Sequence, residues 1–171
     1  MRAPSLLVAL AAALAAPAMA APDPGSRVSR DYVMQTVHSD TFEIMEATSA
    51  LAESTNPQVR AYAQAMIAAH SASTATLLQN ATTAGLRSPP PHLGNDQAQM
   101  LAALQSVRGP AFDRAYVRQQ VLGHRGALAT QQNYLKDGDS ALLKRFAAAA
   151  AQMTQEHLTA AEQLQASVGS E

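Results

Sequence analysis

ALAESTNPQVRAYAQAMIAAH, residues 50–70, contains the turn from which the fold can be worked out. Asn56 is a natural helix N-cap, and Pro57 suits the first helical position, where its fixed φ is helical and its missing N–H is not needed. Upstream, Val33, Val37, Ile44, Ala47 and Leu51 recur at spacings of three, four and seven, which places them on one helical face. That periodicity predicts a first helix from about Ser29 to Ser54. Downstream, Val59, Ala63, Met66, His70, Leu77 and Ala81 line the inner face of a second helix, and Gly85 ends it as a left-handed cap. A turn as short as Ser54–Asn56 makes the two helices antiparallel neighbours.

The same pattern returns further along. Gly109-Pro110 opens a third long helix with Val117, Val121, His124, Leu128 and Leu135 on its inner face. Asp137-Gly138-Asp139 is a turn that offers Asp139 as N-cap for a fourth helix, which presents Leu143, Phe146, Ala150, Met153, His157 and Leu164. Between the two hairpins, Pro89-Pro90-Pro91 forbids helix, and Asp96 to Val107 fits a short one. The expected fold is therefore all-α: a ferritin-like four-helix bundle over residues 29–167, with a long connection between helices 2 and 3. A connection of this length either crosses the bundle or decorates a simple up-down arrangement.

Composition agrees with helices. Of the 171 residues, 47% are hydrophobic but only 4% aromatic, and there is no Trp; much of the apolar content is alanine. Twelve basic and thirteen acidic residues without a run of like charge argue against a nucleic-acid partner, which would require a basic stripe. The N-terminus reads as a signal peptide over residues 1–20: Arg2, an apolar stretch from Leu6 to Ala16, Pro17, then Ala18-Met19-Ala20 before the expected cleavage. Residues 21–28, with two prolines and a glycine, read as a flexible leader. The expected location is periplasmic or secreted, with no transmembrane helix in the mature chain. Cysteine is absent, so neither a disulfide nor a lipid-modified cysteine holds the domain, and packing or a metal must do so.

Several short pieces carry a family resemblance. They are Asn56-Pro57-Gln58-Val59-Arg60 leading to Ala63, Met66-Ile67 and His70; Phe112-Asp113-Arg114-Ala115-Tyr116 with His124 two turns later; and Leu143-Lys144-Arg145-Phe146-Ala147 followed by His157-Leu158. In this order and spacing the chain resembles the exported bacterial family known as domain of unknown function 4142, from about Asp31 to Leu164. The resemblance implies a ferritin-like bundle and an exported protein, and no assigned activity. The family pattern places Asp immediately before the histidines of the second and third helices, where this chain has Ala69 and Gly123.

Chemistry is expected where polar groups fall on the buried stripes. His70, His124 and His157 each stand near the middle of a different long helix and in its apolar register, and Glu43 borders the stripe of the first helix near the height of His70. One Glu and three His thus form a candidate site for a transition metal such as zinc, iron, copper or nickel. Taken singly, each imidazole would be satisfied by hydrogen bonds from groups such as Thr74, Thr154, Gln120 or Gln131. A standard di-iron site is not expected, because it needs Glu three residues before each of two histidines, and Ile67 and Thr154 stand there. His38, on a helix flank, and His92, in the proline-rich loop, are read as carrying no site. No catalytic motif or organic-cofactor motif is present. Two functional readings follow: a non-enzymatic binding or stress-related module that engages a protein, an envelope component or a small ligand, and a metal-binding protein built on the histidines.

Overall fold

The computed structural model describes residues 26–169, so the expected signal peptide and most of the leader lie outside the described residues. Within them the chain forms five helices: α1 (Arg27–Glu53), α2 (Pro57–Thr83), α3 (Asn95–Gln105), α4 (Gly109–Asp137) and α5 (Ala141–Val168). None is long and apolar enough to cross a membrane.

The helix ends follow from local chemistry. Ser26 caps α1 by accepting from the Ser29 N–H, so the helix takes in Arg27 and Val28, the last two residues of the expected leader. Asn56 accepts from the N–H groups of Gln58 and Val59, as its position before Pro57 requires. Gly85 adopts φ 77°, and Leu86 N–H returns to the carbonyl of Ala81 at 2.9 Å, a Schellman ending that buries Leu86 against the bundle. At α5 the expectation fails in detail. Ser140, not Asp139, caps the helix, because the Asp139 carboxylate instead accepts from Ser29 Oγ at 2.6 Å across the end of the bundle.

Helix directions decide between the two topologies left open by the connection. Tyr32 near the start of α1 bonds Gln131 near the end of α4, and Glu43 bonds Gln120, so α1 and α4 are antiparallel. Tyr62 reaches the His157 carbonyl and Gln58 meets Ser167, so α2 and α5 are antiparallel as well. With two antiparallel hairpins, α2 and α4 then run the same way, and the connection must travel the length of the bundle. It does so as α3, which ascends beside α1: Gln97 donates to the His38 carbonyl and Gln105 to Ser49. Leu101 and Leu104 anchor α3 to the bundle, and Gln119 of α4 donates to the Met100 carbonyl at 3.0 Å. This is the single long crossover of ferritin-like bundles.

The interior is divided along its length. One apolar cluster, around Val59, Met66, Phe112, Val117 and Leu164, fills the end at the α1–α2 turn. A second, around Val33, Leu77, Tyr134, Leu143 and Phe146, fills the opposite end, where the Tyr32 and Tyr134 rings stack with centroids 3.9 Å apart. Alanines at 47, 50, 63, 147 and 161 are buried at the helix contacts, and their small side chains let the helices approach closely. Between the two clusters lies a layer of buried polar side chains from the four long helices.

The crossover is expected to contribute to stability through Leu104, which is fully buried. Leu104→Ala should lower the unfolding free energy by about 2–4 kcal/mol, read from urea melts. Leu122→Ala, at a site 60% exposed, should change it by less than about 0.5 kcal/mol.

Candidate metal centre

The central layer begins with three imidazoles. α2 contributes His70, α4 His124 and α5 His157, and their ring centroids stand 5.4 to 5.5 Å apart in a nearly equilateral triangle. One ligand nitrogen from each ring can be chosen so that all three lie within 4.8 Å of one another. His70 and His124 are buried and His157 is half-buried. Each helix brings its histidine inward for the same reason: His70 falls one turn after Met66, His124 three residues after Val121, and His157 next to Leu158, all in or beside the apolar register.

Hydrogen bonds fix which nitrogen two of the rings offer. His70 Nδ1 stands 2.8 Å from Asp40 Oδ1, and the carboxylate also accepts from Thr74 Oγ1 at 2.9 Å. His124 Nδ1 stands 2.8 Å from the Gln120 carbonyl oxygen, which can only accept. Both Nδ1 atoms therefore donate, which leaves Nε2 of each ring as the nitrogen that could bind a metal. Those Nε2 atoms and Nδ1 of His157 are buried without a hydrogen-bond partner. Burial, reinforced by His70, pushes the His124 imidazole down to about 3 and that of His157 down to about 4. Both are neutral at ordinary pH, the form in which imidazole binds a metal.

Beside this triangle lies a layer of carboxylates. Asp40, Glu43 and Glu46 occupy successive turns on the inner face of α1, and all three are buried. Glu43 Oε2 and Glu46 Oε2 both accept from Gln120 Nε2, at 2.6 and 2.9 Å. Glu43 Oε1 is 3.8 Å from His124 Nδ1, beyond hydrogen-bond range and on the side of the ring facing away from its free Nε2. Of the four candidate residues, the structure thus brings the three histidines together and sets Glu43 one layer away. Burial and the neighbouring Glu46 hold the Glu43 carboxyl well above the usual range, and burial pushes Glu46 up to about 8.

Asp40 is the residue that sequence reasoning passed over, although the signal was present. Asp40 and His70 are each fifteen positions from Thr55 at the centre of the α1–α2 turn, so antiparallel pairing puts them at one height. The glycine at 123 also has a physical reason. A Cβ there would lie 2.5 Å from Glu43 Oε1, so a side chain at 123 and Glu43 in this position exclude one another. His38 and His92 are drawn together outside the centre, their rings edge to face with centroids 3.8 Å apart, which ties the proline-rich loop to α1.

The model of a family described as domain of unknown function (DUF4142) matches residues 14–164, and the chain belongs to that family. No curated protein matches it significantly. Among solved structures the chain is similar to a crystal structure of a DUF305 fragment from Deinococcus radiodurans. The two are 15% identical, with a TM-score of 0.73 over 87% of this chain and 100% of that one. At that identity the likeness concerns the fold alone.

The carboxylate layer makes a prediction about pH in the metal-free protein. A carboxyl raised from 4.5 to about 8 stabilises the fold fully below pH 4.5 and loses that contribution as pH rises through 8. Glu46→Gln has nothing to ionise, so its stability relative to wild type should improve by on the order of 3 kcal/mol between pH 5 and pH 8.5. Urea midpoints in a chelating buffer measure the difference. A constant difference across that range would contradict burial of Glu46 as a neutral acid.

Proposed function

We propose that this member of the family is an exported metal-binding protein that holds one divalent transition metal on His70, His124 and His157. The observation that carries this reading is the convergence of three buried imidazole nitrogens that have no other partner. A lone buried imidazole is satisfied by one hydrogen bond; three from different helices, with ligand nitrogens within 4.8 Å of one another, offer a cation a common set of donors. Of the two readings drawn from the sequence, this one has the stronger support.

The donor set narrows the metal. Three neutral imidazoles suit zinc, copper, nickel or iron, whereas magnesium and calcium take oxygen ligands. Metal–nitrogen bonds of about 2.0–2.1 Å bring tetrahedral ligands to roughly 3.3 Å from one another. The three nitrogens, within 4.8 Å now, would close by small side-chain rotations. Three protein ligands leave a coordination position for water or another small ligand. Asp40 holds His70 by its Nδ1 and so orients the Nε2 that would bind the metal. The expected place of action is the periplasm or the exterior, on the reading of residues 1–20 as a signal peptide.

Elemental analysis of the mature, untagged protein is the test. Close to one metal per chain is expected, with its loss in His70→Ala and His157→Ala. Asp40→Asn should keep the metal but bind it about 10–100-fold more weakly, since it acts through His70. Metal at 100 times its Kd should raise the stability of the wild type by about 2.7 kcal/mol, or roughly 5–10 °C in Tm. A folded wild type that carries no metal and gains no thermal stability from zinc, copper or iron would overturn the reading.

A further inference from the structure

The carboxylate layer holds more unpaired oxygen than the histidine site explains. Gln120 is fully buried, and its amide N–H groups reach one oxygen of Glu43 and one of Glu46. Its amide head therefore lies between the two carboxylates. The second oxygen of each carboxylate, Glu43 Oε1 and Glu46 Oε1, has no donor, and neither has Gln120 Oε1. The hydroxyl of Tyr116, one turn before Gln120 on α4 and fully buried, is also without a partner among the described residues. The basic side chains within 4.0 Å of these buried carboxylates, among the described residues, are imidazoles: His70 beside Asp40, and the neutral His124 3.8 Å from Glu43. Glu46 has none among them.

We propose that Glu43, Glu46, Gln120 and the Tyr116 hydroxyl form a second cation seat, distinct from the histidine centre and taking a hard divalent ion such as manganese or magnesium. Its donors are all oxygen, whereas those of the first centre are all nitrogen, so the two seats select different metals. Two carboxylates balance the charge of one divalent ion, and each keeps its Gln120 bond through Oε2 while Oε1 turns to the ion. The hydroxyl and the amide oxygen bring the protein ligands to four, leaving two positions for water in an octahedral shell.

Access runs through Gly123. A groove of about 420 Å³ between α1, α3 and α4 is lined by His38, Phe42, Gln97, Met100, Gly123 and Gly126 among others. Gly123 lies against the Glu43 carboxyl as well, since a Cβ there would already meet Glu43 Oε1.

Manganese(II) titration followed by electron paramagnetic resonance tests the proposal, using full mature protein preloaded with zinc so that the histidine centre does not compete. Free manganese signal should disappear at about one ion per chain in the wild type. It should also disappear in His157→Ala, which keeps all four oxygen ligands. Glu46→Gln should weaken manganese binding at least tenfold while retaining zinc, and Tyr116→Phe, which removes only a hydroxyl, should weaken it less. Helical circular dichroism checks that each variant is folded. Manganese that stays free in folded wild type overturns the proposal, and the layer is then neutralised by protons. Manganese lost on His157→Ala and kept on Glu46→Gln overturns it too, by placing the ion at the histidines. Zinc binding without manganese binding would leave the histidine centre standing, so the two readings fail separately.

Discussion

Six ionisable side chains packed at mid-height in a bundle, Asp40, Glu43, Glu46, His70, His124 and His157, impose the constraint that shapes the rest of this molecule. Removing such groups from water without partners costs several kcal/mol each, a large share of the stability of a domain this size. The fold meets part of that cost internally, through Asp40 on His70, the Gln120 carbonyl on His124 and the Gln120 amide on the two glutamates. The rest is met by changing protonation, with the His124 and His157 imidazoles held neutral and the glutamates held towards their acid form. What remains is a set of buried polar atoms without a hydrogen-bond partner among the described residues, and the proposed metal site rests on them.

The architecture around that layer holds it rigidly. Apolar clusters close the bundle on both sides, so the four long helices are clamped above and below the site. The crossover decides which residues of α4 flank the layer, although His124, at the midpoint of α4, keeps its height in either direction. Because α3 carries the chain back along the bundle, α4 runs parallel to α2, and both place their histidines one face apart at the same level. An up-down arrangement would reverse α4 and bring a different part of it beside Glu43. The long connection is thus part of the site's geometry as well as a decoration of the fold.

Most of the scaffold was legible in the sequence. Asn56-Pro57, Gly85 and Gly109-Pro110 are local chemistry, and each marks the boundary where the backbone changes course. The three histidines were legible because period and helix length fix both face and height. The direction of α4 was not, since a connection of two dozen residues reaches either end of a bundle. Nor was the Ser140 cap, which depends on Asp139 being drawn to Ser29, 110 residues away in sequence. Asp40 lay within reach of simple counting from the turn, but Glu43 borders the same stripe, and only atomic positions separate a carboxylate that orients a ligand from one that faces another layer. The orphaned oxygens of the glutamate layer likewise need coordinates, because no pattern in a sequence reports which side of a carboxylate lacks a donor.

The central claim is that three imidazoles form one coordination sphere, and X-ray absorption at the zinc edge of the zinc-loaded protein addresses it directly. The expected spectrum has a short shell of nitrogen and oxygen neighbours at about 2.0–2.1 Å, with the outer-shell scattering of three imidazole rings. A spectrum fitted by oxygen alone, or by a single imidazole in a loose shell, would contradict the claim and leave the three histidines as packed side chains that merely lie close together.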